Sequence, residues 1–337
     1  MIEANKGFDR LNREIVVEMR KLGRSGLEIA PLVLGGNVFG WTADEPTSFA
    51  VLDAFVGAGF NCIDTADVYS GWVPGHVGGE SETVIGAWMK ARGNRDKVVI
   101  ATKFGAPMAA DKKGLSRAYM MQAVEASLKR LRTDYIDLYQ SHFDDPETPQ
   151  DEVAEGFAAL VKQGKARVVG ASNFGAERLK SALDAAASLG VPRYESLQPQ
   201  YNLADRDRFE GGLQGLCVTE DVGVIPYYGL ASGFLTGKYR SEADLSKSPR
   251  GRGVKRYLDD RGLRILKALD EVSAAVAGTP AQVALAWILA QPGLTAPIAS
   301  ATSVAQMDEL AGAVHLRLEA DQLKALNAAS AVETVAA

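Results

Sequence analysis

Short apolar runs alternate along this chain with Ala-rich stretches of helical periodicity, and the alternation predicts the fold. The apolar runs begin near Leu32 (LVLGG), Phe60 (FNCID), Val98 (VVIATK) and Tyr135 (YIDLYQSH), and again near Arg167 (RVVGAS), Ser196 (SLQPQ), Gly223 (GVIPYY) and Leu294 (LTAPIAS). Helical stretches follow at 45–58, 80–92, 116–132, 150–163, 175–188 and 206–221, then at 262–291 in two pieces, at 303–313 and at 319–330. The runs are continuously apolar, as when helices cover both faces of a parallel sheet. Most begin about 30 to 40 residues apart, the size of one βα unit. Eight such units predict a single α/β (β/α)8 TIM barrel rather than an open doubly wound sheet. No GxGxxG follows the first run, which argues against a Rossmann nucleotide fold.

Three segments fall outside the repeat. Residues 1–19 read as an N-terminal extension with no assigned role, ahead of a barrel over 20–337. The stretch LGRSGLEI (Leu22–Ile29) reads as a hairpin around Ser25-Gly26 covering the bottom of the barrel. Leu294 follows Gly223 by 71 residues, so a long loop with a basic cluster (Arg250, Arg252, Lys255, Arg256) separates the seventh and eighth strands. Loops of that length in a compact domain are commonly functional.

Composition narrows the class of protein. The chain has 337 residues, enough to bury a large core without disulfides or metals. A net charge of −5 argues against a nucleic-acid partner. No apolar run reaches the roughly 18 residues of a membrane span, and the charged N-terminus does not read as a secretory signal, so a cytoplasmic protein is expected. Two cysteines, Cys62 and Cys217, read as small buried hydrophobes. Nothing in the pattern sets an oligomeric state.

A barrel of this type carries its active site at the C-terminal ends of its strands. Asp64 ends the second strand, with Tyr69 five residues on; Lys103 ends the third and His142 the fourth. Lys103 follows Asp64, and His142 follows Lys103, by 39 residues, so consecutive strands carry them to one mouth. The four residue types suit proton transfer. A tyrosine of ordinary pKa, about 10, is a weak acid, and a nearby ammonium favours its phenolate, so Lys103 is expected to lower the pKa of Tyr69. A carboxylate keeps the lysine charged and oriented, and a histidine positions a carbonyl oxygen. No zinc-ligand spacing is present, so no metal is expected.

The motifs GFNCIDTADVY, GGESETVIGAW, ATKFG, LYQSHF, GKARVVGASNF, QPQYNLADR and LASGFLTGKY, in this order, resemble the aldo-keto reductase superfamily from about Leu22 to Ser330. The resemblance implies a barrel enzyme that binds NADP(H) or NAD(H) and reduces a small carbonyl compound. It implies Tyr69 as general acid/base, Asp64 and Lys103 as its tuning pair, and His142 as the residue that orients substrate. It places Ser172, Asn173 and Gln198 on the nicotinamide carboxamide, and Tyr227, beside Tyr228, under the ring. Gly229, Leu230, Ser232, Gly233, Leu235, Gly237 and Lys238 fall in the segment that wraps the pyrophosphate. Gly36, Asn37, Asp64, Ser300, Thr302 and Gln306 complete the implied cofactor set.

The stretch after the eighth strand departs from the pattern. Ser300 and Gln306 stand where many members carry the lysine and arginine that grip a 2′-phosphate, and Leu310 stands at the usual asparagine. Both cofactors therefore stay open, with Thr302, Ser303 or the basic cluster as substitute phosphate contacts. Trp41 and Trp72, in loops leaving barrel strands, are expected to line the substrate site, whereas His76 and His315 read as surface residues. The chain ends soon after Ser330, which implies a small or open pocket. Two other functions remain: a sugar or polyol dehydrogenase working in the oxidative direction, and a cofactor-binding regulatory subunit.

Overall fold

The computed structural model describes residues 17–248 and 251–332. The first sixteen residues of the N-terminal extension, and Arg250 of the basic cluster, lie outside them. An antiparallel hairpin of β1 (Arg20–Lys21) and β2 (Glu28–Ile29) opens the described chain. Eight parallel strands follow: β3 (Val33–Gly35), β4 (Cys62–Asp64), β5 (Val99–Phe104), β6 (Ile136–Ser141), β7 (Ala166–Ser172), β8 (Tyr194–Gln198), β9 (Gly223–Val224) and β10 (Ile298–Ala299). They pair in the order β10-β3-β4-β5-β6-β7-β8-β9. Backbone bonds from Thr295 N to Val224 O and from Ile298 N to Pro226 O, each 2.8 Å, join the last two and close the barrel.

The surrounding helices are α1 (Glu45–Gly57), α2 (Glu80–Arg92), α3 (Arg117–Leu131), α4 (Gln150–Lys162), α5 (Ala176–Leu189) and α6 (Gly212–Glu220). The short α7 (Gly251–Val254) precedes α8 (Asp260–Val276), α9 (Pro280–Leu289), α10 (Val304–Ala311) and α11 (Ala320–Ser330). Local chemistry sets these ends. Ala277, left-handed at φ 53°, ends α8, and Thr279 with Gln282 forms a capping box that starts α9 at Pro280. Gly86 lets α2 lie against α3, because a Cβ there would meet the Leu131 Cα at 2.8 Å. The expected helix over 206–221 begins only at Gly212: the Asn202 side chain accepts from Ala204 N and Asp205 N, holding the chain in a turn instead. The long interval before β10 holds 3-10 turns at Ala231–Thr236, Glu242–Lys247 and Lys255–Tyr257 as well as three helices.

Alternation along the strands separates two cores. Outward residues pack against the helices. Inward Val33, Cys62, Ala101, Leu138, Val168, Ile225 and Ile298 form a separate cluster with Leu22, Leu27 and Ile29 of the hairpin, which plugs the bottom. Both cysteines are buried and free, as expected. Because the side-chain period of a strand is two, the next inward positions after Cys62 and Ala101 are Asp64 and Lys103, and His142 lies four residues beyond Leu138. The face that seals the bottom therefore presents polar groups at the top. No single helix among the described residues is long and apolar enough to cross a membrane.

Leu22 is fully buried at the bottom of the barrel. Leu22→Ala is expected to lower the free energy of unfolding by about 2–5 kcal/mol, read from denaturant midpoints, and to leave turnover by the folded protein unchanged. An unshifted midpoint would show that the plug contributes nothing to the barrel.

Candidate active site

The centre of the mouth is a buried ion pair. Lys103 Nζ donates to both Asp64 oxygens at 2.8 Å, to Thr65 O at 2.7 Å and to Tyr69 Oη at 3.0 Å, and its side chain is fully buried. The Tyr69 hydroxyl points its proton toward Asp64 Oδ2 at 3.3 Å. The turn that carries Tyr69 is fixed from behind: Ser70, left-handed at φ 69°, donates to Phe39 O at 2.9 Å. Thr65 Oγ1 donates to Ser81 Oγ, which in turn donates to Gly36 O. The His142 ring stands 6.0 Å from the Tyr69 ring, with Nδ1 buried and without a hydrogen-bond partner.

Burial governs the protonation of these groups. It pushes the Tyr69 phenol well above its ordinary range, and the Asp64 charge adds to the rise. This corrects the expectation that Lys103 lowers it: the ammonium is in contact, but desolvation and the carboxylate outweigh it. Burial also pulls Lys103 down, opposed by Asp64, and holds His142 well below the usual imidazole value, with Lys103 adding to the effect. The phenol is thus a protonated donor and the histidine a neutral ring at neutral pH.

The expected carboxamide residues lie on the same network. Gln198 Nε2 donates to Asp64 Oδ1 at 2.8 Å, and Ser172 Oγ donates to Gln198 O at 2.9 Å. Asn173, left-handed at φ 60°, donates from Nδ2 to His142 O at 2.9 Å and to Ser172 Oγ at 3.1 Å. Its Oδ1 accepts from the Tyr227 hydroxyl at 2.7 Å, and the exposed Tyr228 lies edge-on to Tyr227. One chain of hydrogen bonds thus connects Tyr227 to Asp64.

The Gly229–Lys238 segment is tightly turned. Tyr228, Ala231, Ser232, Gly233 and Gly237 are all left-handed, at φ 58°, 48°, 58°, 94° and 78°, and the amides of Ala231, Gly233, Leu235 and Gly237 close turns onto Tyr228 O, Leu230 O and Phe234 O. Gly229 packs tightly, since a Cβ would meet Leu285 at 3.1 Å. Not every expected position faces outward: Leu235 is fully buried, Leu230 is half-buried, and Lys238 is exposed beside the Tyr239 ring. Gly36 is needed for packing, because a Cβ there would meet Ser81 Oγ at 2.9 Å. Ser300 Oγ donates to Asn37 Oδ1 at 2.6 Å, and Gln306 Oε1 accepts from Thr302 N at 2.9 Å. No lysine or arginine occurs between Ser300 and Ala311. Of the basic cluster, Lys255 pairs with Glu242 and Arg256 reaches Tyr257 and Asp205.

The two tryptophans meet at the mouth. Trp41 and Trp72 are edge-to-face at 5.5 Å, and Trp72 is 6.0 Å from Tyr69. Two residues here escaped sequence reasoning. Phe143 stacks on His142 and is half exposed; its signal was an aromatic directly after the strand-end histidine. Asp67, within the DTADVY motif, is buried beside Lys103, Glu82 and Arg130 with both carboxyl oxygens unpartnered.

The match to the aldo/keto reductase family model runs over residues 31–331. The chain belongs to the aldo/keto reductase family. It is similar to the oxidoreductase YrpG of Bacillus subtilis strain 168, 35% identical over 321 residues that cover 92% of this chain and 95% of that protein. It is 30% identical to the protein tas of Escherichia coli K12, over 94% of this chain and 99% of tas. A third relative, a putative voltage-gated potassium channel subunit beta of Schizosaccharomyces pombe, is 33% identical over 88% of each chain.

In this aldo/keto reductase Asp67 carries a pH signature. Burial and the Glu82 charge push its carboxyl up to about 8, because Arg130 is already bonded to Glu82 at 2.6 Å. The unfolded carboxyl titrates near 4. Below that both states hold the proton; between about 4 and 8 only the folded state does, so folding weakens as pH rises and levels off above 8. Asp67→Asn removes this burden. Its gain in stability should be near zero at pH 4 and grow to a few kcal/mol by pH 8, as measured by urea denaturation. A gain independent of pH would show that Asp67 stays ionised.

Proposed function

We propose that this aldo/keto reductase is an NAD(P)H-dependent oxidoreductase that reduces a small aldehyde or ketone to its alcohol, with Tyr69 as general acid/base. The observation that carries the reading is the Tyr69 hydroxyl held 3.0 Å from a buried Lys103 that is itself clamped by Asp64. A bound reduced nicotinamide would supply the hydride. The residues that would hold it are Ser172, Asn173, Gln198 and Tyr227 at the ring end, then Gly229–Lys238, with Asn37, Ser300, Thr302 and Gln306 at the far end. The left-handed turns of this segment and the exposed Lys238 support a phosphate contact there.

Tyr69 donates its proton to the substrate oxygen as negative charge develops there. The Lys103 ammonium stabilises the phenolate left behind, which offsets the rise that burial imposes. Asp64 keeps Lys103 charged and aimed, through both of its oxygens. Neutral His142 donates a hydrogen bond to the same oxygen and does not compete as an acid. Run backwards, the same groups take a proton from an alcohol, so a sugar or polyol dehydrogenase is the alternative direction. The similarity to a channel beta subunit favours a second reading, a cofactor-binding regulatory subunit. The intact proton-donor cluster favours the enzyme, since a binding module needs no proton donor. The net charge of −5 supports a reading without a nucleic-acid partner, and the apolar runs, all short of a membrane span, support one without a membrane partner; we place the protein in the cytoplasm.

Purified protein given NADPH or NADH and a panel of aldehydes should oxidise the cofactor, read by its absorbance. Tyr69→Phe is expected to lower kcat about a hundredfold or more with the cofactor Kd unchanged. Full activity in that variant would falsify the mechanism.

The positions after β10 support weak discrimination between the two cofactors, since no cation stands between Ser300 and Ala311. The Kd values of NADPH and NADH should lie within about tenfold of each other, a difference of about 1.4 kcal/mol. Ser300→Lys with Gln306→Arg should tighten NADPH alone. If the pair leaves the ratio unchanged, these positions do not face the 2′-phosphate.

A further inference from the structure

We propose that Asp67 is a positioning residue of the reductase site: its neutral carboxyl sets the charge environment of Lys103, and its ionisation slows carbonyl reduction. The inference rests on the reductase reading above. Asp67 lies two residues before Tyr69 and is tied to Lys103 through the backbone, its amide donating to Lys103 O at 3.0 Å. Thr65 N makes the matching bond to Ala101 O at 2.8 Å, so the chain leaving β4 stays laced to β5 as far as Asp67. Gly78 closes over the residue, because a Cβ there would meet Asp67 O at 2.8 Å. Asp67 is 2% exposed, and neither of its carboxyl oxygens has a hydrogen-bond partner.

On the helix side of β5 one arginine serves two carboxyls, and Glu82 takes it. Arg130 Nε donates to Glu82 Oε2 at 2.6 Å and its Nη2 to Ser127 Oγ at 3.3 Å, while Thr102 Oγ1 donates to Glu82 Oε1 at 2.6 Å. The other titratable groups that face Asp67 are Lys103 on β5, Tyr119 on α3 and Tyr139 on β6, whose buried hydroxyl is also unpartnered. The Lys103 ammonium is already engaged by Asp64, Thr65 and Tyr69. An ionised Asp67 would be a bare charge out of water with a second carboxylate nearby, whereas the protonated form is neutral. Burial first, and the Glu82 charge second, push this carboxyl up to about 8.

The charge of Asp67 reaches the reacting atoms through Lys103. Negative charge on Asp67 or Glu82 favours the charged form of that lysine. While Asp67 keeps its proton, Asp64 is the carboxylate in contact with the ammonium. The remaining field of Lys103 then acts on the phenolate that Tyr69 becomes when it gives up its own proton. When Asp67 releases its proton to solvent, a further negative charge bears on Lys103 and neutralises more of that field. The phenolate then forms at greater cost, and proton delivery to the substrate oxygen slows.

The test follows kcat/KM for propanal, at saturating NADPH or NADH, from about pH 6 to about pH 10 in the full-length protein. In the wild type it should fall by about threefold to tenfold around pH 8, and Asp67→Asn should lose that step. Asp67→Glu, which restores a carboxyl, should keep it. Glu82→Gln removes the charge that competes for Arg130 and should move the step to lower pH, with urea midpoints reporting whether each variant is folded. Infrared difference spectra of the wild type over the same range should show the C=O band of a protonated carboxylic acid disappear, and Asp67→Asn should lack that band. A step of equal size at the same pH in Asp67→Asn, the whole profile merely being scaled, is what a packing role alone would give. That result, or a carboxyl band independent of pH, would overturn the assignment while propanal turnover keeps the reductase reading intact. Failure to reduce any aldehyde would remove that reading and this one together.

Discussion

The Lys103–Asp64 ion pair is the constraint on which the rest of the site depends. Both groups are out of water, and a buried pair of this kind adds little net stability, whereas losing one partner strands a charge at roughly 3–5 kcal/mol. The pair is therefore kept for what it positions. In the β4–β5 register Asp64 lies opposite Ala101, so Lys103 starts one inward position higher and its long side chain reaches back. That reach places the ammonium against Thr65 O and Tyr69 as well as the carboxylate. Gln198 adds a contact from β8, across the barrel. A charge pair contributed by neighbouring strands thus becomes the hub that fixes Thr65 and Tyr69 after β4 and Gln198 at the end of β8.

The barrel makes this hub affordable by separating its two ends. Inward positions at the bottom are Cys62, Ala101, Leu138 and Val168, small or branched, and the hairpin closes them off with Leu22, Leu27 and Ile29. One step up the same strands the inward positions are Asp64, Lys103, Gln140 and Gly170. Water excluded from below leaves the pair in a low-dielectric setting, which strengthens its mutual attraction and its hold on Tyr69. Stability and chemistry share one strand face, divided by height.

Much of this was legible in the sequence because each part is local or periodic. Eight apolar runs at regular spacing specify a barrel, and one polar residue at each of three consecutive strand ends specifies the mouth. What escaped the sequence depends on burial or on neighbours remote in the chain. The direction of the Tyr69 shift was misjudged because the pairwise effect of Lys103 is visible in a motif, whereas desolvation by the assembled barrel is not. Residues 206–211 read as helix by composition, yet the Asn202 side chain holds the chain just before them in a turn, through Ala204 N and Asp205 N. Asp67 looks like one more charged loop residue until Glu82 claims Arg130 and leaves it without a partner. The cofactor segment shows the same limit: Leu235 falls within the motif but points into the core, because motifs give position along the chain and not the direction of a side chain.

The protonation states that burial imposes have a chemical consequence. A phenol raised well above its ordinary range is a poor acid toward water, so the site holds its proton until a better base arrives. The oxygen of a carbonyl receiving hydride is such a base, because it becomes an alkoxide. His142, kept neutral by the same burial, cannot protonate that oxygen first and can only hold it. In the proposed reduction, desolvation would order the two groups, one as donor and one as guide, and the Lys103 ammonium would act after the proton has left, when the phenolate beside it needs a counter-charge. In that reaction the charge that does little for the folded state would contribute most at the moment the proton moves.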